Sequence, residues 1–351
     1  MFKNFFMGIA AMAALTLVSC SSDDLNSLSD TPSKNEAISF DSYLGRSAVS
    51  VNGSRGSVLD IDALKKPEEG FGVFGNYNEA NDVEFGSNWF DNVHVTYSST
   101  DTKWKYSPAQ YWLPQGHIDF LAYAPYDSKY DKKVTKDKQE LDFIVNPTIK
   151  DQIDLLWAKA TNQTKANNSG TDKKVKFQFA HALSRLGYTV KLNNNYTGTT
   201  ITLNKITLAG SKDGTQKAFY PKGTIDLSTG NWTPSTTDEK LNFEWFTNTS
   251  GMVLNTEAAD NAADNYLFVI PQNFSAPATD NLYVIVEYTI KGYNGVTTPM
   301  TNTVYKQLEK NFLQGNAYTF NLTLGLTPIE FDVTTVEGWT DTNQGEINVW
   351  N

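Results

Sequence analysis

A single cysteine, Cys20, three histidines and three arginines (Arg46, Arg55 and Arg185) stand in a chain of 351 residues. One thiol permits no disulfide within the chain and no cysteine-based metal site, so stability has to come from an apolar core and hydrogen-bonded sheets. The histidines, His94, His117 and His181, have no second histidine at i+2 or i+4, and the sequence carries no zinc-type pairing. There is no Gly-x-Ser-x-Gly elbow, no phosphate loop and no dinucleotide fingerprint, so no catalytic residue, metal or cofactor is expected. The carboxylate pairs Asp60/Asp62, Glu68/Glu69 and Asp151/Asp154 read as surface charge, because a glycosidase pair is defined by distance in space rather than by spacing in sequence. Basic residues are the minority, 29 against 39 acidic, for a formal net charge of −10. A nucleic-acid surface needs the opposite excess.

Long apolar runs are also missing, with one exception at the N-terminus. Lys3 is followed by Phe5 to Val18 without a charge, a stretch too short to span a bilayer and ended by Ser19-Cys20. A basic start, a short apolar run and a small residue at the cut describe a secretory signal peptide over residues 1–19. Leu17-Val18-Ser19-Cys20 matches the bacterial lipobox, which places Cys20 for acylation and sends the chain out of the cytoplasm to the outer membrane. Each buried methylene of an acyl chain contributes about 0.8 kcal/mol, so two or three chains hold firmly and release needs a covalent cut. The lipid is then the only expected contact with a membrane. Residues 21–34, rich in Ser, Asp and Asn, read as a tether.

What is abundant is alternation. Hydrophobic residues make up 40% and aromatics 13% of the chain, enough for sizeable cores. Period-2 patterns recur at Val93-Val95-Tyr97, Ile118-Phe120, Leu141-Phe143-Val145, Val175-Phe177-Phe179 and Tyr188-Val190-Leu192. They return at Leu282 to Ile290, Phe320 to Leu326 and Ile329-Phe331-Val333. Each sets apolar side chains on one strand face and Thr, Asn, Lys or Asp on the other, with Gly-containing turns between. Residues 255–265 are at best a short helix or a loop. Many antiparallel strands without helical crossovers predict an all-β chain of sandwiches. Length suggests two domains, and the polar run Ala160 to Lys174 is the expected junction, dividing the body into 47–165 and 170–351. Of eight tryptophans, Trp104 and Trp157 fall in predicted strands and read as core.

Several stretches together resemble the fimbrillin family, lipoprotein subunits of type V pili. They are Trp104-Lys-Tyr106-Ser-Pro108, Tyr111-Trp112-Leu-Pro114, Ile118-Asp-Phe120-Leu-Ala122-Tyr123-Ala-Pro125, Asp154-Leu155-Leu156-Trp157-Ala158 and Phe179 to Leu186. Gly338-Trp339 and the closing Ile347-Asn-Val349 complete the set. The resemblance implies two transthyretin-like β-sandwich domains in tandem and a structural role in a fimbrium, without catalysis. It also implies that an arginine-specific protease cuts near the N-terminus and removes a first strand, and that C-terminal strands of another subunit fill the groove.

On this chain the removable segment would be residues 20–46, with Ile38-Ser-Phe40-Asp-Ser-Tyr43 as its strand. The cut would fall between Arg46 and Ser47, with Arg55 as the fallback, and the donor residues would be Phe331, Val333, Ile347 and Val349. Implied partners are further pilus subunits, the protease and a host or bacterial surface receptor. A competing reading of the residues is a surface glycan-binding lipoprotein that stays lipid-anchored and uses exposed tryptophans.

Overall fold

The computed structural model describes residues 36–44, 59–66, 68–79, 87–168, 174–261, 265–275, 280–326 and 330–336. Cys20, Arg46, Ser47, Arg55, Ile347 and Val349 lie outside them. Alternation becomes strand nearly everywhere it was expected. The first strands are β1 (Phe40–Leu44), β2 (Phe71–Asn78), β3 (Ser87–Ser98), β4 (Lys103–Lys105), β5 (His117–Ala124), β6 (Glu140–Ile144) and β7 (Leu156–Gln163). Next come β8 (Val175–His181), β9 (Ser184–Leu192), β10 (Thr200–Ala209), β11 (Lys222–Asp226), β12 (Trp232–Pro234), β13 (Phe243–Val253) and β14 (Ala259–Asp260). The last are β15 (Leu267–Val269), β16 (Gln272–Asn273), β17 (Leu282–Lys291), β18 (Met300–Leu308), β19 (Asn311–Phe312), β20 (Ala317–Leu324) and β21 (Glu330–Val336). Among the described residues the one α-helix is α1 (Ile61–Leu64), capped by Asp60, whose carboxylate accepts the Ala63 N–H at 2.6 Å. The chain is all-β.

Seven strands form the first sheet, in the order β1-β8-β7-β5-β2-β3-β4. Its pairings are antiparallel except for β1, which runs parallel to β8 at one edge. One face of this sheet carries an apolar core built on Phe71, Val73, Phe90, Phe120, Phe177 and Phe179. The second core lies between the sheets β14-β9-β20-β21 and β13-β10-β17-β18, with Trp245, Phe320, Leu208 and Val286 at its centre.

The junction expected at residues 160–174 is not where the chain changes sheet. β7 and β8, on either side of it, pair with each other in the first sheet. The crossing comes later, at the fully buried Ala182 and Leu183, where the Ala182 N–H donates to the Leu155 carbonyl at 2.7 Å. The division into 47–165 and 170–351 is therefore corrected: β8 belongs with the strands before it. The halves are also joined more deeply than a two-domain division implies. β6 pairs with β11 over Glu140–Ile144 and Asp226–Lys222, and Phe74, Leu121 and Tyr123 on the back of the first sheet pack into the second core.

Candidate functional site

Residues 36–44 make the least ordinary contacts in the first sheet. Glu36 to Ile38 lie along residues 110–112: the Ile38 N–H donates to the Gln110 carbonyl at 2.8 Å and the Trp112 N–H to the Glu36 carbonyl at 2.9 Å. At Ser39 the chain changes partner, its carbonyl accepting the Val175 N–H at 2.8 Å, and β1 then follows β8 in parallel from Phe40↔Val175 to Leu44↔Phe179. Alternation decides which side chains enter the core. Ile38, Phe40 and Ser42 point inward at 2%, 1% and 6% exposure, whereas Tyr43 stands in solvent.

Phe40 fills an aromatic slot. Its ring centroid lies 5.7 Å from Phe90, 5.3 Å from Tyr106, 5.4 Å from Phe120 and 5.5 Å from Phe177. The contacts with Phe90 and Phe120 are edge-to-face, the geometry the aromatic quadrupole favours. The Tyr106 hydroxyl donates to the Ile38 carbonyl at 2.8 Å, and burial pushes this phenol up to about 12, so it stays a donor at any physiological pH. Outside, Asp41 meets Lys174 at 3.6 Å and Glu36 meets Lys165 at 3.6 Å, exposed pairs that add little stability but mark register. One position fits poorly: Ser42 Oγ is buried and has no hydrogen-bond partner among the described residues.

Downstream of the undescribed residues 45–58, which contain Arg46, Ser47 and Arg55, the chain returns at a fixed point. The Leu59 N–H donates to Asp154 at 2.8 Å, and the other partner of that buried carboxylate is His181 Nδ1, 3.0 Å away. Asp154 is thus a buried anchor and not the surface charge that its sequence suggests. Replacing it with alanine is expected to cost about 1–3 kcal/mol for each buried donor left without an acceptor, seen as a lower urea midpoint.

The other histidines have structural partners too. His94 stacks on Tyr126 at 3.8 Å, and Asn78 Nδ2 lies 3.3 Å from His117 Nε2 while donating to Asp119 at 3.1 Å. Among the described residues no three His, Cys, Asp or Glu side chains gather around a metal position. Trp104, Trp112 and Trp245 are buried, and Trp89, Trp157 and Trp232 are half-buried against the two cores. The exposed tryptophans needed for a glycan platform are therefore not found among the described residues.

Of the expected donor residues, Phe331 and Val333 fall in β21, an edge strand whose one neighbour is β20. Val333 lies opposite Phe320 and is half-buried, while Thr334 and Thr335 are exposed. The structure thus brings Ile38, Phe40 and Ser42 into one groove and keeps β21 at a separate sheet edge. The sequence reading gave Lys174, Tyr106 and Asp154 no contact with the first strand or with the segment that follows it. Only Ser42 carried a usable signal, being two residues beyond Phe40 on a strand of period 2.

The fold is similar to solved structures. A fimbrial protein from Bacteroides vulgatus superposes with a TM-score of 0.67 at 24% identity, over 87% of this chain and 99% of that one. A proposed cell adhesion protein from Bacteroides ovatus gives a TM-score of 0.51 at 15% identity, over 88% and 99% of the two chains. No curated protein sequence matches the chain. The profile of the fimbrillin-like family matches residues 63–339, well over half of the sequence, and the chain belongs to that family.

Proposed function

We propose that this protein is a structural subunit of a cell-surface pilus, delivered to the outer membrane as a lipoprotein through Cys20, cut after Arg46 and polymerised by strand exchange, with adhesion as its service to the cell. The observation that carries the reading is the segment 36–44. It is short, sits at a sheet edge and fills an aromatic slot, so its loss would open a groove of Phe90, Tyr106, Phe120 and Phe177 beside an unpaired β8 edge. An apolar groove next to an open edge invites strand addition. About six restored backbone hydrogen bonds at about 1 kcal/mol each, with buried side chains at about 1.5–3 kcal/mol apiece, offset the ordering of the incoming strand. The same cut separates Cys20 from the body, so the lipid serves delivery and the mature subunit is held by its neighbours.

N-terminal sequencing of material shed from cells tests the reading. A start at Ser47 with detergent-resistant ladders supports it; shed or surface protein that keeps an acylated Cys20 and stays monomeric refutes it. Delivery is tested separately. Cys20→Ser is expected to leave an unacylated precursor and abolish surface pili, and fatty-acid label still entering that variant would defeat the assignment of Cys20.

A further inference from the structure

The loop between β5 and β6 is basic on an acidic protein. Residues 129–138 hold five lysines, Lys129, Lys132, Lys133, Lys136 and Lys138, against two aspartates, in a chain of formal net charge −10. No other ten-residue stretch holds as many lysines. All five are exposed, and the other exposed positions from Ser128 to Lys138 are Ser, Thr and Asp. The loop's two hydrophobic side chains, Tyr130 and Val134, are buried in the second core and pin it from beneath.

The neighbouring acids are occupied in building the loop. The Asp127 carboxylate accepts the Lys129 N–H at 2.9 Å, Asp91 accepts the Lys132 N–H at 2.9 Å, and Asp131 accepts from Asn92 Nδ2 at 2.7 Å. Lys129 and Lys138 pair with Asp127 and Asp142. Lys132 and Lys133 have no carboxylate at ion-pair distance among the described residues. Lys132 is also strained. Its φ is 59°, in the left-handed region that suits glycine or asparagine and is unfavourable for a lysine. A glycine there would relieve the backbone but remove the charge. Strain kept on an exposed, unpaired cation points to a use for the cation.

We propose that this loop binds an acidic polysaccharide, a sugar chain bearing carboxylate or sulfate groups, through Lys132 and Lys133 with the flanking lysines in support. Charge complementarity selects the class of ligand. The centre of a protein interface is apolar and poor in lysine, and a membrane-surface segment needs apolar side chains to enter the lipid; the loop exposes none. Duplex DNA carries a charge about every 1.7 Å and would be repelled by the acidic body around so short a strip. Sparser charges on a sugar chain need only the strip itself. The site adds a ligand chemistry to the adhesive part of the proposed function, and it rests on neither the cut nor strand exchange.

Dextran sulfate and neutral dextran are the probes, with purified full-length, uncut protein. The protein is expected to bind dextran sulfate alone and to release it between about 0.1 and 1 M salt, where the screening length falls from about 10 to about 3 Å. Lys132→Glu combined with Lys133→Glu is expected to weaken binding about tenfold at the lower salt, with an unchanged melt. Lys132→Gly separates charge from backbone. It is expected to melt at the same temperature or higher, because the left-handed strain is relieved, while binding dextran sulfate more weakly.

Binding that survives the double substitution, or that does not tell the two dextrans apart, overturns the site. Tighter binding to duplex DNA, or to phosphatidylglycerol vesicles over a phosphatidylcholine blank that removes the contribution of the acyl chain, overturns the assignment to a polysaccharide. A lower melting temperature for Lys132→Gly overturns the reading of strain. Because the protein is tested uncut, each of these failures leaves the pilus reading intact.

Discussion

Arg46→Ala is expected to leave a folded, acylated monomer and to reduce surface filaments below detection. Residues 36–44 are held by Phe40 in its aromatic slot and by the parallel pairing to β8, and they continue through residues 45–58 to Leu59, which Asp154 fixes. While that connection is intact, any strand that leaves the groove stays tethered beside it and returns faster than a separate subunit can arrive, because its effective concentration is on the order of millimolar. Cutting the connection removes this advantage. Arg185 is no substitute site, since it is 8% exposed on β9 with its guanidinium 4.5 Å from the Tyr266 ring centroid. Edman sequencing and gel ladders read the result. A mature start at Ser47, or filaments at the unmodified level, would show that Arg46 is not required, and a start at Gly56 would move the cut to Arg55.

The strands were legible because alternation is a local property. Val175-Phe177-Phe179, Leu282 to Ile290 and Phe320 to Leu324 each have one buried and one wetter face in sequence, and each is a strand in the structure. Partner choice is not local, and the reading failed there. Residues 160–174 look like a linker because they are polar and rich in asparagine. Two of those asparagines instead close a local turn: the Asn167 side-chain carbonyl accepts the Thr164 N–H at 2.6 Å, and Asn168 Nδ2 donates to the Thr164 carbonyl at 3.0 Å. The true crossing between sheets, Ala182-Leu183, is apolar and buried and therefore looks like the interior of a strand. The pairing of β6 with β11 joins segments far apart in the chain, Glu140–Ile144 and Lys222–Asp226, and leaves no trace in either segment.

Within the groove the inward set Ile38, Phe40 and Ser42 follows from period 2, but its environment does not. Nothing in the sequence says that β1 runs parallel to β8, that Lys174 faces Asp41, or that Tyr106 reaches back to the Ile38 carbonyl. Asp154 is a similar case. Its spacing from Asp151 suggests surface charge, and only the fold brings Leu59 and His181 to it.

Phe40→Ala separates the uncut subunit from the assembled one. In the precursor the substitution empties a slot formed by Phe90, Phe120 and Phe177, held by β3, β5 and β8, and by Tyr106, rings that are unable to collapse fully onto the space. Losing a buried phenylalanine under those conditions costs about 3–5 kcal/mol, a large part of the about 5–15 kcal/mol that holds a domain folded. The purified, uncut variant is expected to unfold at a correspondingly lower urea concentration. The assembled filament should behave differently. Under the proposed cut residue 40 departs with the N-terminal fragment, and another side chain occupies the slot, so filaments of the variant are expected to dissociate in detergent at the same temperature as the unmodified ones. Equal loss in both states would mean that β1 stays in place after assembly and would end the strand-exchange reading. A loss confined to the precursor is the outcome that a removable plug requires.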